Sequence, residues 1–411
     1  MDKTKLRSYA RLIARMGLNV QPGQQVVIRT EPGQLEFLEI LIDECYQAGA
    51  SKVNLEWRFD PALRLDIKYQ SDETLGRVEA WEEKRLAERC STLPANVYLD
   101  SDDPDALTGA DQDKWGRALQ KRFTVTKPYR DAMENKYQWC VAAVPGLNWA
   151  RKVFPELSGE EAVEKLWEYI FRCARVDDDP IAAWQEHNRN LKARSAWLNS
   201  LKLRRLYYKS ESSGTDFNVG LMPQMRFRGG ADERDGMAVD FNANIPSEEV
   251  YTTPMRGDAE GIVYATMPLA YRGVLIEDFW LRFEGGKVVE AHAGKNEETL
   301  KLMLNMDEGA SMLGECAFVP YESPIRQCGI LFYSTLFDEN ASCHLALGNG
   351  YSSCLENASA YTAQEARALG VNDSMIHEDF MIGTPDMNIW GITEDGERVD
   401  IFINGGWAQE V

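Results

Sequence analysis

The 411-residue chain has only four histidines and a shortage of positive charge: 45 Lys+Arg stand against 65 Asp+Glu, a formal net charge of −20. A cation deficit of this size excludes nucleic acid and anionic membranes as partners, because phosphate contacts need clustered Lys and Arg. It leaves cationic ligands, metal ions and peptide amines. The eight cysteines, at positions 45, 90, 140, 173, 316, 328, 343 and 354, contain no C-x-x-C pair. That sparse spacing excludes a disulfide scaffold and structural zinc, and predicts buried thiols in a reducing compartment. No apolar run approaches the roughly 18–20 residues of a membrane span. Neither G-x-G-x-x-G nor G-x-x-x-x-G-K-[ST] follows the first strand, where Glu31-Pro32-Gly33 stands instead, so a nucleotide fold is set aside. H-E-x-x-H is absent too, which excludes a thermolysin-like single-zinc helix.

What the chain does contain is ordinary globular material, 44% hydrophobic and 27% charged, in a length that suits two domains. Met1–Leu18 is basic and amphipathic, but it lacks a transit peptide's cleavage site. Leu6, Tyr9, Leu12, Ile13 and Met16 form a helical stripe leading into a strand, so it reads as the first helix of a cytoplasmic protein. Gln25–Thr30 and Lys52–Arg58 read as strands flanking a helix over Gly33–Ala48, a βαβ unit with a parallel sheet. Asn96–Asp100 and Gln138–Val144 extend it, and Ser158-x-x-Glu161 is a capping box opening an amphipathic helix. A charged helix near Asp179–Leu201 bridges to a β-rich half. There the hairpins Gly273–Phe283/Lys287–Ala291 and Asp386–Thr393/Arg398–Asn404 alternate with helices at Glu297–Met306 and Glu356–Leu369. The expected architecture is an α/β domain over 1–190 with a parallel βαβ sheet, then a β-rich α+β domain over 191–411. The acidic stretches Asp100–Asp103 and Asp177–Asp179 read as loops or helix caps rather than metal sites.

The chemistry concentrates in the second half. His377 and Asp379 lie two apart, so on a strand they share a face and form a compact N,O ligand pair beside apolar Phe380, Met381 and Ile382. Glu339 and His344 converge only through a turn, which Asp338-Glu-Asn-Ala341 offers; Tyr351 follows the glycine-rich Gly348-Asn-Gly350 loop. Glu248 and Glu249 sit in a Pro- and β-branched-rich segment. Glu315 is embedded in an apolar strand, where a carboxylate needs a cation, a donor or a proton. His292 at a hairpin end reads as structural, and His187 on the charged helix as a surface residue. Cys343 and Cys316 face away from their neighbours His344 and Glu315 if those segments are strands, which disfavours a Cys–His nucleophile.

The segments Asn244-Ile-Pro-Ser-Glu-Glu-Val-Tyr-Thr-Thr-Pro254, Leu313-Gly-Glu-Cys-Ala-Phe-Val319, Phe337-Asp-Glu-Asn-Ala-Ser-Cys-His344 running on to Tyr351, and Ile376-His-Glu-Asp-Phe-Met-Ile-Gly383 occur in that order. Together with the N-terminal segment Tyr9–Ile28, they resemble the aminopeptidase T / aminopeptidase S family of metallopeptidases over essentially the whole chain. The resemblance implies a two-domain enzyme with a β-rich catalytic domain carrying two divalent metals. It implies metal ligands at Glu249, Glu315, Glu339, His344, His377 and Asp379, a motif tyrosine at Tyr351, and a homodimer. Glu248 is as suited chemically as Glu249, and only the alignment favours the latter.

Four carboxylates, from Glu249, Glu315, Glu339 and Asp379, match the charge of two divalent ions; mixed His and carboxylate ligation suits zinc, cobalt or manganese better than calcium. The expected activity is removal of N-terminal residues from short peptides by a metal-activated water. Tyr351 would donate to the oxyanion, and Glu315 or Glu248 would shuttle the proton. Two other functions share parts of this pattern: a metal-dependent amidohydrolase or deacylase that needs no free amine, and a metal-binding scaffold without turnover.

Overall fold

The computed structural model describes residues 2–101, 103–134, 136–233 and 239–411. The chain forms two compact units, Met1–Glu186 with Ala231–Pro246, and His187–Gly230 with Ser247–Val411. The return of Ala231–Pro246 to the first unit has no counterpart in the division expected at residue 190.

In the first unit, strands β1 (Gln25–Thr30), β2 (Lys52–Trp57), β3 (Ala95–Asp100) and β4 (Trp139–Ala143) make a parallel sheet in the order β4–β3–β1–β2. Asn244–Ile245 adds a fifth parallel strand beside β4. Helix α1 (Lys3–Leu12) buries Leu6, Tyr9 and Leu12, the stripe that the sequence predicts. Its Tyr9 ring stacks on Phe37 of α2 (Leu35–Gln47), centroids 5.5 Å apart, and meets Trp167 edge-on. Trp167 belongs to α3 (Gly159–Cys173), which Ser158 and Glu161 cap reciprocally as the sequence predicts. Two residues of the acidic stretches make local structural hydrogen bonds. Asp103 accepts from the Asp105 N–H and from Asn148, and Asp179 caps the next helix through the Ala182 N–H; Asp102 lies outside the described residues.

That next helix, α4 (Pro180–Ser200), contains the boundary between units. The rest of the second unit is built on two antiparallel sheets. The larger has nine strands and includes both expected hairpins, Val274–Glu284/Lys287–Lys295 and Asn388–Thr393/Arg398–Ile403. The smaller comprises β5 (Arg228–Gly229), β6 (Val250–Thr252), β7 (Leu313–Phe318), β8 (His344–Gly348) and β9 (His377–Met381), in the order β9–β8–β7–β6–β5.

Strand alternation gives the smaller sheet two unlike faces. Val250, Cys316, Phe318, Leu345, Leu347 and Phe380 point into one hydrophobic core shared with the larger sheet. The opposite face carries His377 and Asp379 on β9, His344 and Ala346 on β8, and Glu315 and Ala317 on β7. Ala317 is paired with His344, Glu315 with Ala346, and Ala346 with Asp379. The core fixes the register, because a one-residue slip would drive these polar groups into it.

Two expectations need correction. The helix expected over Glu356–Leu369 spans only Ala363–Leu369: Asn357 takes a left-handed φ of 56°, and Thr362 with Glu365 caps a new start. His187 is not a surface residue; its side chain is 11% exposed, and Nε2 lies 2.7 Å from the Ser247 carbonyl. It shares the inward face of α4 with Trp184 and Leu191, at helical spacings of three and four.

Candidate metal centre

The functional side chains are delivered by several pieces of the smaller sheet and its loops. Glu315 interrupts an entirely buried strand, and His377 and Asp379 share the same face of edge strand β9. The turn expected between Glu339 and His344 is a short helix, Thr335–Asp338, running into a 3-10 turn over Glu339–Ala341. Glu339, His344 and Asp379 are buried.

These groups meet in two overlapping triads. Ligand atoms of Glu249, Glu315 and His344 lie within 4.8 Å of one another, and so do those of Glu315, His377 and Asp379. Glu249 Oε2 is 3.2 Å from His344 Nε2; His377 Nε2 is 3.1 Å from Glu315 Oε2 and 3.4 Å from Asp379 Oδ1. Glu339 approaches the same group closely enough for the charges of Asp379 and Glu249 to act on it. Glu248 is not among them. Its Oε2 lies 3.9 Å from His187 Nε2 instead. Cys316 and Cys343 lie in the core beneath, and His292 pairs with Glu297 at 2.6 Å, so none of the three joins the cluster.

Backbone carbonyls orient both imidazoles. His377 Nδ1 lies 2.7 Å from the Asn349 carbonyl and His344 Nδ1 3.3 Å from that of Ser342, an arrangement that places the proton on Nδ1 and turns each Nε2 lone pair into the cluster. Two glycines let the supporting loop come this close. A Cβ on Gly314 would stand 2.2 Å from the Asn349 carbonyl oxygen. Gly348 has φ +100°, and a Cβ there would meet the Ile376 carbonyl at 2.2 Å. Asn372 ties the loop down through the Gly348 and Gly309 carbonyls. Tyr351 projects from this loop with its hydroxyl 2.9 Å from His377 Nε2 and its ring edge-on to Tyr251.

The electrostatics call for cations. Burial, reinforced by the Glu249 and Asp379 charges, pushes Glu315 up to about 7 despite its bond to His377. Burial drives Glu339 well above the carboxylate range as well, again with Asp379 and Glu249 adding to it. Burial alone would lower His344, yet the hydrogen bond and charge of Glu249 carry it to about 9. His377 rises for the same reason, against Asp379 and Glu315. Asp379 goes the other way: burial pushes it up, but the charge and close polar contact of His377, with His344 and Glu339 adding to them, together lower it. Protons thus do the neutralising that four clustered carboxylates require. Asp379 Oδ1 is buried and, although 3.4 Å from His377 Nε2, makes no hydrogen bond. Carboxylate oxygens and neutral imidazole nitrogens of this kind are the donor set of a first-row divalent ion, so the residues fit a metal centre.

The sequence patterns did not single out Asn340, Asn349 or His187 as supports. The only available signal was the polar residue inside Gly348-Asn-Gly350, which contributes through its carbonyl rather than its side chain.

A buried, carboxylate-rich His/Glu/Asp cluster on one face of an antiparallel sheet, in a chain that also carries a parallel α/β unit, defines a metal-dependent enzyme class. Comparison with known proteins narrows that class. The sequence model of the thermophilic metalloprotease (M29) family matches residues 2–407, and the chain belongs to this family of peptide hydrolases. It is 40% identical over 406 residues to aminopeptidase AmpS of Bacillus subtilis (strain 168), and 39% identical over 405 residues to aminopeptidase T of Thermus aquaticus. Each alignment covers 98% of both chains. The structure of wild-type AmpT from Thermus thermophilus superimposes with a TM-score of 0.89 at 38% identity, covering 99% of this chain and all of that one. The parallel-sheet unit followed by antiparallel sheets agrees with that structure, and the family implies a divalent metal cofactor. No helix among the described residues is long and apolar enough to cross a membrane.

Proposed function

We propose that the chain is an aminopeptidase that removes N-terminal residues from short peptides using two divalent ions (zinc, cobalt or manganese) held by Glu249, Glu315, Glu339, His344, His377 and Asp379. The observation that carries this reading is the pair of ligand triads joined at Glu315. One shared carboxylate between two three-ligand groups suits a bridged pair of ions. Bound there, such ions would supply Lewis acidity toward the scissile carbonyl and a water acidic enough to ionise near neutral pH.

The chain's own residues do the rest. His377 and His344, fixed through Nδ1, present Nε2 without rotational search. In the free cluster the Tyr351 hydroxyl lies 2.9 Å from His377 Nε2, which is itself turned toward Glu315 and Asp379. Once that nitrogen is engaged, the hydroxyl proton is available to the substrate's carbonyl oxygen as negative charge develops on it. Tyr351 itself stays protonated, since burial and the Glu315 charge hold it well above the ordinary phenol value. Glu315 inside the cluster, or Glu248 next to Glu249 in the chain, would take the proton from water and return it to the leaving amine. A free, unprotonated α-amine could ligate one of the ions where an N-acetylated one could not, which is the polarity of an aminopeptidase. Dimerisation and a cytoplasmic setting belong to the same proposal and rest on the family resemblance.

The test strips the protein of metal, restores zinc, cobalt or manganese one at a time, and compares Leu-p-nitroanilide with its N-acetylated form. Turnover of the free amine alone is expected. Equal turnover of both would favour the amidohydrolase, and neither metal uptake nor turnover would favour the scaffold.

A further inference from the structure

The cluster depends on two carboxylates that reach it from outside its strands, Glu249 just before β6 and Glu339 in the 3-10 turn. They are 90 residues apart in the chain and need a common reference. Asn340 makes three hydrogen bonds that tie the two together. Its Oδ1 accepts from the Glu248 N–H at 2.7 Å, and its Nδ2 donates to Glu339 Oε1 at 3.2 Å and to the Leu336 carbonyl at 3.0 Å. The side chain is completely buried, and its own carbonyl accepts from Ser323 Oγ at 2.8 Å.

The peptide that Asn340 grips is held from the other side as well. His187 Nε2 lies 2.7 Å from the Ser247 carbonyl, so the Ser247–Glu248 link leading into Glu249 is pinned at successive residues. A buried amide has a distinct donor end and acceptor end, which fixes its orientation. Here the donor end can meet only a carboxylate or carbonyl and the acceptor end only an N–H. Rotating the amide by a half-turn would set oxygen against Glu339 and NH₂ against an N–H.

We propose that Asn340 is a positioning residue for the metal centre, setting Glu339 against Glu249 so that both carboxylates face the same cavity. The inference rests on the two-metal reading. It does not place Asn340 in contact with metal or substrate. Partners of this kind typically change metal affinity by about 10–100-fold when removed.

The experiment is calorimetric titration of metal-stripped protein with zinc, alongside thermal unfolding of the metal-free state. The variants are Asn340→Ala, Asn340→Asp and Ser323→Ala. Wild type taking up two ions is the prerequisite, and no uptake would overturn the two-metal reading itself. Asn340→Ala should weaken at least one binding event by about 10–100-fold, lower kcat at limiting metal, leave KM for Leu-p-nitroanilide near wild type, and recover activity in excess zinc. Asn340→Asp keeps the acceptor for the Glu248 N–H but loses the Nδ2 donor to Glu339 and to the Leu336 carbonyl, so it should lose metal affinity as Asn340→Ala does despite its nearly unchanged size. Ser323→Ala, which removes a support of Asn340's backbone only, should lower thermal stability with unchanged affinities. If Asn340→Ala bound both ions as tightly as wild type while merely melting earlier, its role would be structural and the proposal wrong.

Discussion

Replacing Gly314 with alanine perturbs the centre without touching any residue proposed to bind metal. The new Cβ would stand 2.2 Å from the Asn349 carbonyl oxygen and 2.6 Å from that of Gly348, where ordinary contact begins at 3.4 Å. Relief of the first overlap therefore needs a displacement of 3.4 − 2.2 = 1.2 Å, borne by backbone on both sides. The Asn349 oxygen is the partner that holds His377 Nδ1 at 2.7 Å, so a shift of that size would stretch or break the bond. Overpacking of a filled strand costs roughly 1–3 kcal/mol. Loss of a buried hydrogen bond adds about 1 kcal/mol. Gly314→Ala should therefore lower metal-free stability by about 2–4 kcal/mol and weaken binding at the His377 triad by about 10–100-fold. Denaturant unfolding with chelator present reads the first quantity, and zinc titration below the melting range reads the second. A variant with wild-type midpoint and wild-type affinity would refute the coupling drawn between this glycine, the loop and His377.

Other consequences are simpler to read. Tyr351→Phe should retain both ions and lose about 10²–10³ in kcat, the usual effect of deleting one oxyanion donor; full turnover in a metal-loaded variant would remove Tyr351 from the reaction. Glu315→Gln, at the junction of the triads, should bind fewer than two ions by elemental analysis and show no useful turnover; an active two-metal variant would sink the site assignment. Away from the centre, Glu297 is held down to about 2, chiefly by its hydrogen bond to Lys301 and the Ala293 N–H. A depressed carboxylate contributes stability that is present above its unfolded value and lost as pH falls through the folded one. The stability gap between wild type and Glu297→Gln should thus be full at neutral pH and close between about pH 4 and 2. A gap that persisted undiminished to the acid limit would contradict this origin.

Much of this organisation could be read in the residues because it is local. The βαβ unit has strands and a helix long enough to show their periods, and the capping box at Ser158 and the turn at Glu394–Glu397 are short-range signals. That His377 and Asp379 share a strand face was legible because a spacing of two is decisive on any strand. Other features depend on information that a linear pattern does not carry. Choosing between Glu248 and Glu249 requires knowing which way β6 faces, and a three-residue strand has too few alternations to reveal it. His187 looked exposed because its helix is charged on most sides, and only packing of Trp184 and Leu191 shows which stripe is inward. The return of Ala231–Pro246 to the first unit ends in a two-residue strand beside β4, a pairing across about 100 residues with no periodic trace. The helix at Glu356 failed for a local reason after all, since apolar spacing was followed through an asparagine that turns left-handed.

A single carboxylate common to both triads has a thermodynamic consequence for how the centre fills. Two ions that both draw on Glu315 would not load independently: the first to arrive spends part of that side chain's charge and fixes its rotamer before the second binds. The affinities are therefore linked, and by reciprocity each ion alters the other's affinity by the same factor. If the two ions of the proposed centre compete for the charge of Glu315, the second binds more weakly than the first, and half-filled centres persist during partial metal removal. The more weakly held position could then be exchanged alone, giving a centre with two different elements side by side.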